Sequence, residues 1–243
     1  MSAVRRPGVD GEVLAGWLAA ARVRPESAPG WMAGLVEGAA TITAHELSRN
    51  DPSAGAVGPR QAAVLVLLGH DAEHGPDVLL QQRADGLRDH PGQVSFPGGG
   101  WEQGDLSPVE TALREAVEET GLEPSGVDPV ALLPRLFIPP SGFEVTGVVA
   151  HWRRPSAVAP VDHAENASVK RIPLAHLADP RNRLMVRNST GWLGPGFALE
   201  GMVIWGYTGE VLDALLRLGG WERPWTSGPA EDVDHVWASV RSG

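Results

Sequence analysis

Two apolar runs near the middle of the chain predict a β-hairpin. Residues Gln61–Leu68 form a nearly continuous apolar run, which is typical of a central strand that is covered on both faces. Residues Val78–Gln82 form a second run, and the polar segment Gly69–Asp77 between them favours a turn. Weaker strand patterns follow at Val130–Leu133, Phe143–Trp152, Ala167–Ile172, Leu184–Val186 and Met202–Trp205.

The clearest helix of the sequence is predicted over Ser107–Leu122. Apolar residues recur there at the spacing of one helix face, beginning at Val109. Ser107 is a favourable N-cap residue, and Pro108 suits the first helical position because no N–H donor is needed there. Gly121 stands where a glycine commonly ends a helix.

Helical patterns are also found near both ends of the chain. Residues Glu12–Ala21 and Trp31–Ala39 carry helix-favouring residues, and Glu210–Leu218 predicts a last amphipathic helix. We therefore divide the chain into an N-terminal helical extension, residues 1–56, and a main domain, residues 57–243. Strands mixed with helices in this order predict an α/β fold in which helices sandwich a mixed sheet.

The composition excludes several classes of function. The 243 residues include no cysteine, which excludes disulfides, thiolate nucleophiles and cysteine metal sites and suits a cytoplasmic protein. A formal net charge of −10 argues against nucleic acid as a partner, because no basic excess exists to bind its phosphates. The N-terminus lacks the apolar run of a signal peptide, and the longest apolar stretch, Ala62–Leu68, is too short to cross a membrane. We expect a soluble protein whose partner is a small molecule.

Three glutamates on the predicted helix indicate a metal site. Glu115, Glu118 and Glu119 are spaced at i, i+3 and i+4, so they share one face of the helix. Like charges at this spacing destabilise an isolated helix by about 0.2–0.5 kcal/mol per pair, whereas a hard cation such as Mg²⁺ prefers carboxylate oxygens. The alternative is a solvated acidic face without a ligand. The segment Gly98–Gly100 upstream favours a ligand, because backbone without Cβ can approach phosphates or metal closely.

Residues Gly100–Leu122 resemble the Nudix box, in which a glycine and a glutamate precede the pattern Arg-Glu-apolar-x-Glu-Glu-x-Gly-apolar. The half that begins at Arg114 matches throughout. One position departs, because Leu106 stands where the family commonly has a glutamate that orients the box arginine. Glu110, four residues before Arg114 on the same helix, could replace that glutamate.

A second motif, upstream of the box, resembles the signature of the coenzyme A pyrophosphatase branch of the Nudix hydrolases. It is carried by Leu79–Ala84, Arg88, Gly92 and Phe96–Gly99, and further similarity covers roughly residues 25–220. The resemblance implies an α/β/α sandwich with a loop-helix-loop catalytic motif and dependence on Mg²⁺ or Mn²⁺. It also implies cleavage of coenzyme A (CoA) or acyl-CoA to 3′,5′-ADP and (acyl-)4′-phosphopantetheine.

The resemblance further implies roles for individual residues. The expected metal ligands are Glu115, Glu118, Glu119 and Gly99. Arg114 is expected in the catalytic set, and the base that activates water is Glu115, Glu118 or the loop residue Glu165. The expected substrate contacts are Arg83, Arg88, Gly98 and Gly99. Guanidinium groups suit phosphate, although the two arginines could equally be surface residues of a hairpin edge, and Glu165 an ordinary loop carboxylate.

Two other functions stay open at this point. The first is a Nudix hydrolase of ADP-ribose, NADH or another nucleoside-diphosphate derivative. The second is a non-catalytic Nudix module that binds a nucleotide, although all three glutamates of the box are present. The sequence also leaves open a homodimer, the number of metals and the preferred acyl chain.

Overall fold

The computed structural model of the chain describes residues 11–48, 60–87, 91–199 and 201–242. The helices are α1 (Gly11–Ala19), α2 (Ala33–Ala39), α3 (Ala44–Leu47), α4 (Pro108–Thr120), α5 (Leu174–Leu177), α6 (Gly206–Leu218) and α7 (Val233–Ser242). The strands are β1 (Arg60–Asp71), β2 (Gly75–Arg83), β3 (Val94–Ser95), β4 (Gly98–Gly100), β5 (Val127–Leu132), β6 (Leu136–Ile138), β7 (Phe143–Trp152), β8 (Asn166–Pro173), β9 (Arg183–Arg187), β10 (Leu193–Leu199), β11 (Met202–Ile204) and β12 (Glu231–Asp232).

The larger sheet is mixed and is built around β1. This strand runs parallel to β7 and antiparallel to β2 and β4. The remaining strands continue the sheet, with β5 and β6 on β7 and with β3 and β8 on β2. The expected hairpin is therefore confirmed, although both strands are longer than the apolar runs. Residues Gly69–Asp71 still pair with Gly75–Asp77, so the turn is shorter than the polar segment suggests.

Helices cover both faces of this sheet. Leu65 and Leu67 of β1 join a buried cluster with α4 and with Trp17 of α1. Val66 and Leu68 point to the other face and pack in a cluster with α2 and α6. Because both faces of β1 are buried, its sequence is continuously apolar and does not alternate. The α/β/α sandwich with a mixed sheet is therefore confirmed.

A second, four-stranded sheet has the order β11-β10-β9-β12. Its strand β10 was not expected, because the segment Gly194-Pro195-Gly196 has the composition of a turn. In the structure, Pro195 pairs with Met185 of β9, while β11 pairs only with Phe197–Leu199. Pro195 therefore lies in the part of β10 that β11 does not reach. The missing N–H of the proline removes no hydrogen bond to β11.

The N-terminal helices pack against the main body of the chain. The indole N–H of Trp17 in α1 donates to Thr111 Oγ1 of α4 at 3.3 Å. At the start of α3, the carboxylate of Glu46 accepts hydrogen bonds from the N–H and the hydroxyl of Thr43, each at 2.8 Å. The division of the chain at residue 56 stays a prediction, since it falls outside the described residues. Within the described part, no helix combines the length and apolar character that a bilayer crossing requires.

Candidate active site

The helix that carries the acidic residues, α4, begins and ends as its sequence predicts. The N–H of Glu110 donates to Ser107 Oγ at 3.3 Å, and Pro108 begins the first turn. Gly121 ends the helix in the left-handed conformation with φ 67°, which favours glycine. Val117, which the apolar spacing that begins at Val109 predicts on the buried face, is exposed instead.

Arg114 of α4 is held by Asp105, in the loop that leads into the helix. Its Nε and Nη2 atoms donate to the two carboxylate oxygens of Asp105, both at 3.0 Å, and Nη2 also donates to the carbonyl oxygen of Gly100 at 3.0 Å. The expectation that Glu110 supports Arg114 is wrong. Glu110 instead accepts a hydrogen bond from the N–H of Leu106 at 2.9 Å. The supporting carboxylate therefore lies one residue before the usual position of the box glutamate.

The carboxylate of Asp105 is fixed by further bonds. Its side chain is 7% exposed and accepts hydrogen bonds from the N–H of Glu102 and the hydroxyl of Thr111, each at 3.0 Å. Burial acts to raise the pKa of Asp105, but the hydrogen bonds from Arg114, Glu102 and Thr111 outweigh it and lower the pKa below its ordinary value. Asp105 is therefore ionised at neutral pH and keeps the Arg114 guanidinium in one orientation.

Glu119, on the last turn of α4, reaches the glycine segment across the site. Its Oε2 atom accepts hydrogen bonds from the N–H of Gly98 at 2.8 Å and from Gln81 Nε2 at 2.7 Å. Burial raises the pKa of Glu119 to about 7, against the lowering effect of these two bonds and of the Arg83 charge. A buried carboxylate that resists ionisation is a favourable place for a cation.

Glu115 lies directly against Gly99 of β4. A Cβ atom on Gly99 would be 2.5 Å from the carboxyl carbon of Glu115, so this approach requires glycine. The Glu115 carboxylate accepts from Arg114 Nη1 at 3.0 Å and its side chain is 17% exposed. Burial raises the pKa of Glu115, with Arg114 opposing the shift and the nearby Glu118 charge adding to it.

The donor groups of this site fit a divalent cation. Glu115 and Glu119 present carboxylates beside the glycine backbone, and a cation would remove the unfavourable burial of their charges. Glu118 is on the same helix face but is 58% exposed and contacts Arg114 Nη1 at 3.2 Å. Within the described part of the chain, no three His, Cys, Asp or Glu side chains are already gathered as a metal-binding group. The Glu118 carboxylate is therefore paired with Arg114 in the structure, whereas Glu115 and Glu119 lie beside the glycine segment.

The upstream motif meets this acidic helix through β2. Gln81 and Arg83 are two residues apart on the strand, so their side chains share the face on which Gln81 contacts Glu119. Among the described residues, no carboxylate lies within ion-pairing distance of Arg83, and its Nε atom is buried without a hydrogen-bond partner. A guanidinium that makes no ion pair among these residues can bind an anionic ligand.

The other expected residues are placed as follows. Arg88 lies outside the described residues. Glu165 is exposed, and its carbonyl oxygen accepts a hydrogen bond from the N–H of Ala84 at 2.8 Å, which brings this residue beside the end of β2. The carbonyl oxygen of Gln93 accepts from the N–H of Arg83 at 2.9 Å. The structure thus brings Arg83 and the backbone of Glu165 together at one edge of the site.

The C-terminal helix α7 contacts the loop after β2. Arg241 donates to the carboxylate of Asp85 in this loop. A Cβ atom on Gly92 would meet Trp237 at 3.5 Å and Arg241 at 3.0 Å. The motif glycine at position 92 therefore packs under α7, where φ is 69°. Helix α7 supports the loop that belongs to the second motif.

Comparisons with known proteins agree on the family. The model of the NUDIX domain matches residues 59–189. A protein of Cronobacter sakazakii named "Uncharacterized Nudix hydrolase NudL" is 40% identical over 140 residues, which cover 55% of this chain and 68% of the relative. A protein of Salmonella paratyphi B with the same name is 35% identical over 173 residues, or 66% of this chain and 83% of the relative. Several others of that name are matched over only 45–55% of their length.

A solved structure is also similar. It is the crystal structure of a Nudix hydrolase from M. smegmatis, RenU, with a TM-score of 0.48 and 19% sequence identity, covering 69% of this chain and 90% of that chain. The family model alone spans more than half of the 243 residues. The chain therefore belongs to the Nudix hydrolase family.

Proposed function

We propose that this Nudix hydrolase cleaves the diphosphate of CoA or acyl-CoA and releases 3′,5′-ADP and (acyl-)4′-phosphopantetheine. The observation that carries the proposal is the second motif, Leu79–Gly99, which resembles the CoA pyrophosphatase signature. Its residues Gln81 and Gly98 both hydrogen-bond to Glu119 of the Nudix box. The two motifs therefore form one site. The position of the second motif directly beside α4 supports the proposal that the substrate contains a diphosphate.

The ligands that we propose for the cation are Glu115, Glu118, Glu119 and the backbone carbonyl of Gly99. Nudix hydrolases generally use divalent metal ions such as Mg²⁺, and we propose Mg²⁺ or Mn²⁺ here. When bound, the cation would neutralise charge on the diphosphate and lower the pKa of water. The chain itself supplies the remaining functions of binding, orientation and proton transfer.

Arg83 is the anion-binding group that we propose on this chain, with Gly98 and Gly99 as further substrate contacts. The guanidinium has no ion-pair partner among the described residues, so it can meet a phosphate without first breaking a bridge. We propose Arg88 as a second phosphate contact on the grounds of the motif alone. Arg114 acts differently, because its bonds to Asp105 leave it to balance the charge of Glu115 and Glu118.

The group that takes the proton from the attacking water is proposed among Glu115, Glu118 and Glu165. Glu118 is exposed and contacts Arg114. Its carboxylate is therefore accessible to water. Glu165 is also exposed at the edge of the site. Single Gln variants and pH–rate profiles separate the three, because removal of the base lowers kcat and removes one limb of the profile.

The test is product analysis with the full chain. The purified protein is incubated with Mg²⁺ or Mn²⁺ and with CoA, acyl-CoA, ADP-ribose or NADH, and the products are separated by chromatography. We expect 3′,5′-ADP from CoA, and hydrolysis in ¹⁸O-water identifies the attacked phosphorus. Intact CoA in the presence of either metal would refute the substrate assignment. A preference for ligands without the 3′-phosphate would favour the ADP-ribose or NADH alternative, and tight binding without turnover would favour a binding module.

A cytoplasmic location and a small-molecule substrate are part of the same proposal. The absence of cysteine and the net charge of −10 support them.

A further inference from the structure

A buried asparagine faces Arg83 across the sheet. Asn166, the first residue of β8, is 2% exposed. It is paired in register with Arg83 of β2. Residues that are directly opposite on antiparallel strands place their side chains on the same face. Asn166 therefore lies beside Arg83 on the face that carries Gln81, and this face meets Glu119 of α4.

A β-bulge in β8 produces this placement. Gln82 pairs with Ser168 and Arg83 pairs with Asn166, so Ala167 has no opposite residue. Without the extra residue, Ala167 would face Arg83 and the Asn166 side chain would turn to the other face of the sheet. Bulges often redirect a side chain next to an active site. The irregularity brings a polar side chain to a place that regular pairing would give to alanine.

Three polar atoms on this face are buried without a partner. They are Asn166 Oδ1, Arg83 Nε and Gln81 Oε1, and none has a hydrogen-bond partner among the described residues. Buried acceptors and donors are normally paired, because an unpaired polar group loses its bonds to water without replacement. Three of them on one face, next to the carboxylate of Glu119, indicate groups that await a ligand.

We propose that Asn166 is a substrate-binding residue that helps to determine specificity. Its buried side-chain oxygen accepts a hydrogen bond from a hydroxyl or amide N–H of the substrate next to the diphosphate, while Arg83 binds the phosphate itself. Phosphate oxygens carry no proton to donate at neutral pH, so this oxygen selects the organic group that flanks the diphosphate and not the anion. The inference rests on the proposed hydrolysis of a nucleoside-diphosphate derivative and adds a contact to that site.

The variant Asn166→Leu separates a binding role from a structural one. Leucine has the same branched shape and removes the buried, unpaired amide, so the ligand-free protein should keep its Tm or gain a few degrees. Ser168→Ala is the matched control, because Ser168 is on the same strand but pairs with Gln82 on the opposite face. Asn166→Ala is compared in parallel, so that the question is still answered if the leucine variant does not fold.

Two measurements give the result. In steady-state kinetics with the best diphosphate substrate, Asn166→Leu should raise KM and lower kcat/KM about 10–100-fold, while Ser168→Ala stays within about twofold of the parent. The affinities for CoA and ADP-ribose are measured by calorimetry without divalent metal. The ligand that binds the parent more tightly should bind the Asn166 variants about tenfold more weakly than the parent.

The outcomes distinguish this inference from the proposed function. If the parent cleaves none of the diphosphates, the proposed hydrolysis fails, and the calorimetric comparison still decides the role of Asn166. If the parent is active and the Asn166 variants keep its kcat/KM and affinity, the inference is wrong and the hydrolase assignment stands. A lower Tm with unchanged ligand binding would also overturn it, because Asn166 would then be a structural residue.

Discussion

Replacing Asp105 with Asn tests whether this carboxylate holds Arg114 in place. The change keeps the size of the side chain but turns one acceptor of a two-bond pair into an NH₂ group that faces the guanidinium. A hydrogen bond to a charged group contributes about 1.5–3 kcal/mol, and breaking a buried ion pair costs about 3–5 kcal/mol. Arg114 keeps its contacts with two glutamates and Gly100. We therefore expect a loss of about 2 kcal/mol, or about 4–8 °C in Tm.

The effect on activity should exceed the effect on folding. Without Asp105, the Arg114 guanidinium is free to pair more closely with Glu115 and Glu118, so it competes with a cation for those carboxylates. Residues that orient metal ligands typically change affinity or activity by about 10–100-fold. We expect the Mg²⁺ concentration for half-maximal activity to rise by about this factor. Adding Leu106→Glu to Asp105→Asn should recover part of the loss, because it restores a carboxylate at the usual box position.

Thermal unfolding at several pH values and metal titration of the activity are the assays. The folded-state pKa of Asp105 is lowered, so its stabilisation is present above about pH 4 and is lost as the pH falls through the folded pKa. The Asn variant should lack this part of the acid dependence. The control is Glu110→Gln, which affects only a cap at the N–H of Leu106 and should cost about 1 kcal/mol or less. If Glu110→Gln impairs Mg²⁺ activation more than Asp105→Asn does, the reasoning is refuted.

Three further predictions concern the same site. Gly99→Ala should displace Glu115 and lower kcat/KM by about tenfold or more. The control Gly100→Ala, whose Cβ would be 3.4 Å from the nearest side chain, should change kcat/KM little, and equal losses in the two variants would contradict the steric argument. In chemical denaturation at pH 8, metal-free Glu119→Gln should be more stable than the parent by on the order of 2–3 kcal/mol. With a folded-state pKa of about 7 for Glu119, the parent loses stability as the pH rises from about 4.3 through 7, and a parent that gains stability over this range would refute the prediction. Arg83→Gln should raise KM for CoA about tenfold with a small change in kcat, measured by initial rates, and an unchanged KM would remove Arg83 from the phosphate site.

The elements with strong local signals were predicted from the sequence. The run at Gln61–Leu68 gave β1 because a strand buried on both faces leaves a continuous apolar pattern. Ser107, Pro108 and Gly121 marked the ends of α4 because capping depends on residues within one turn of each end. Strand β10 was missed, since the pairing with β9 and β11 that stabilises it overrides the turn composition of its glycines and proline.

The site was predictable only as far as its helix. The spacing of the glutamates places them on one face, but it does not state how far each side chain is buried. Asp105 was missed because its role depends on the path of the loop after β4, although an acidic residue one position before Leu106 was a usable signal. Asn166 has no sequence signal, because its position facing Arg83 depends on a bulge in its own strand and on pairing with β2, which lies more than eighty residues earlier in the chain.

The glycine segment beside Glu115 is a strand, not a free loop. Gly98–Gly100 pairs with Val64–Ala62 of β1, and the N–H of Leu65 bonds to the carbonyl oxygen of Pro97 at 2.8 Å. Ordering one residue of backbone costs about 1–2 kcal/mol in conformational entropy. For these residues the entropy is already lost when the protein folds. A ligand that contacts this backbone therefore binds without the further entropic cost of ordering a loop.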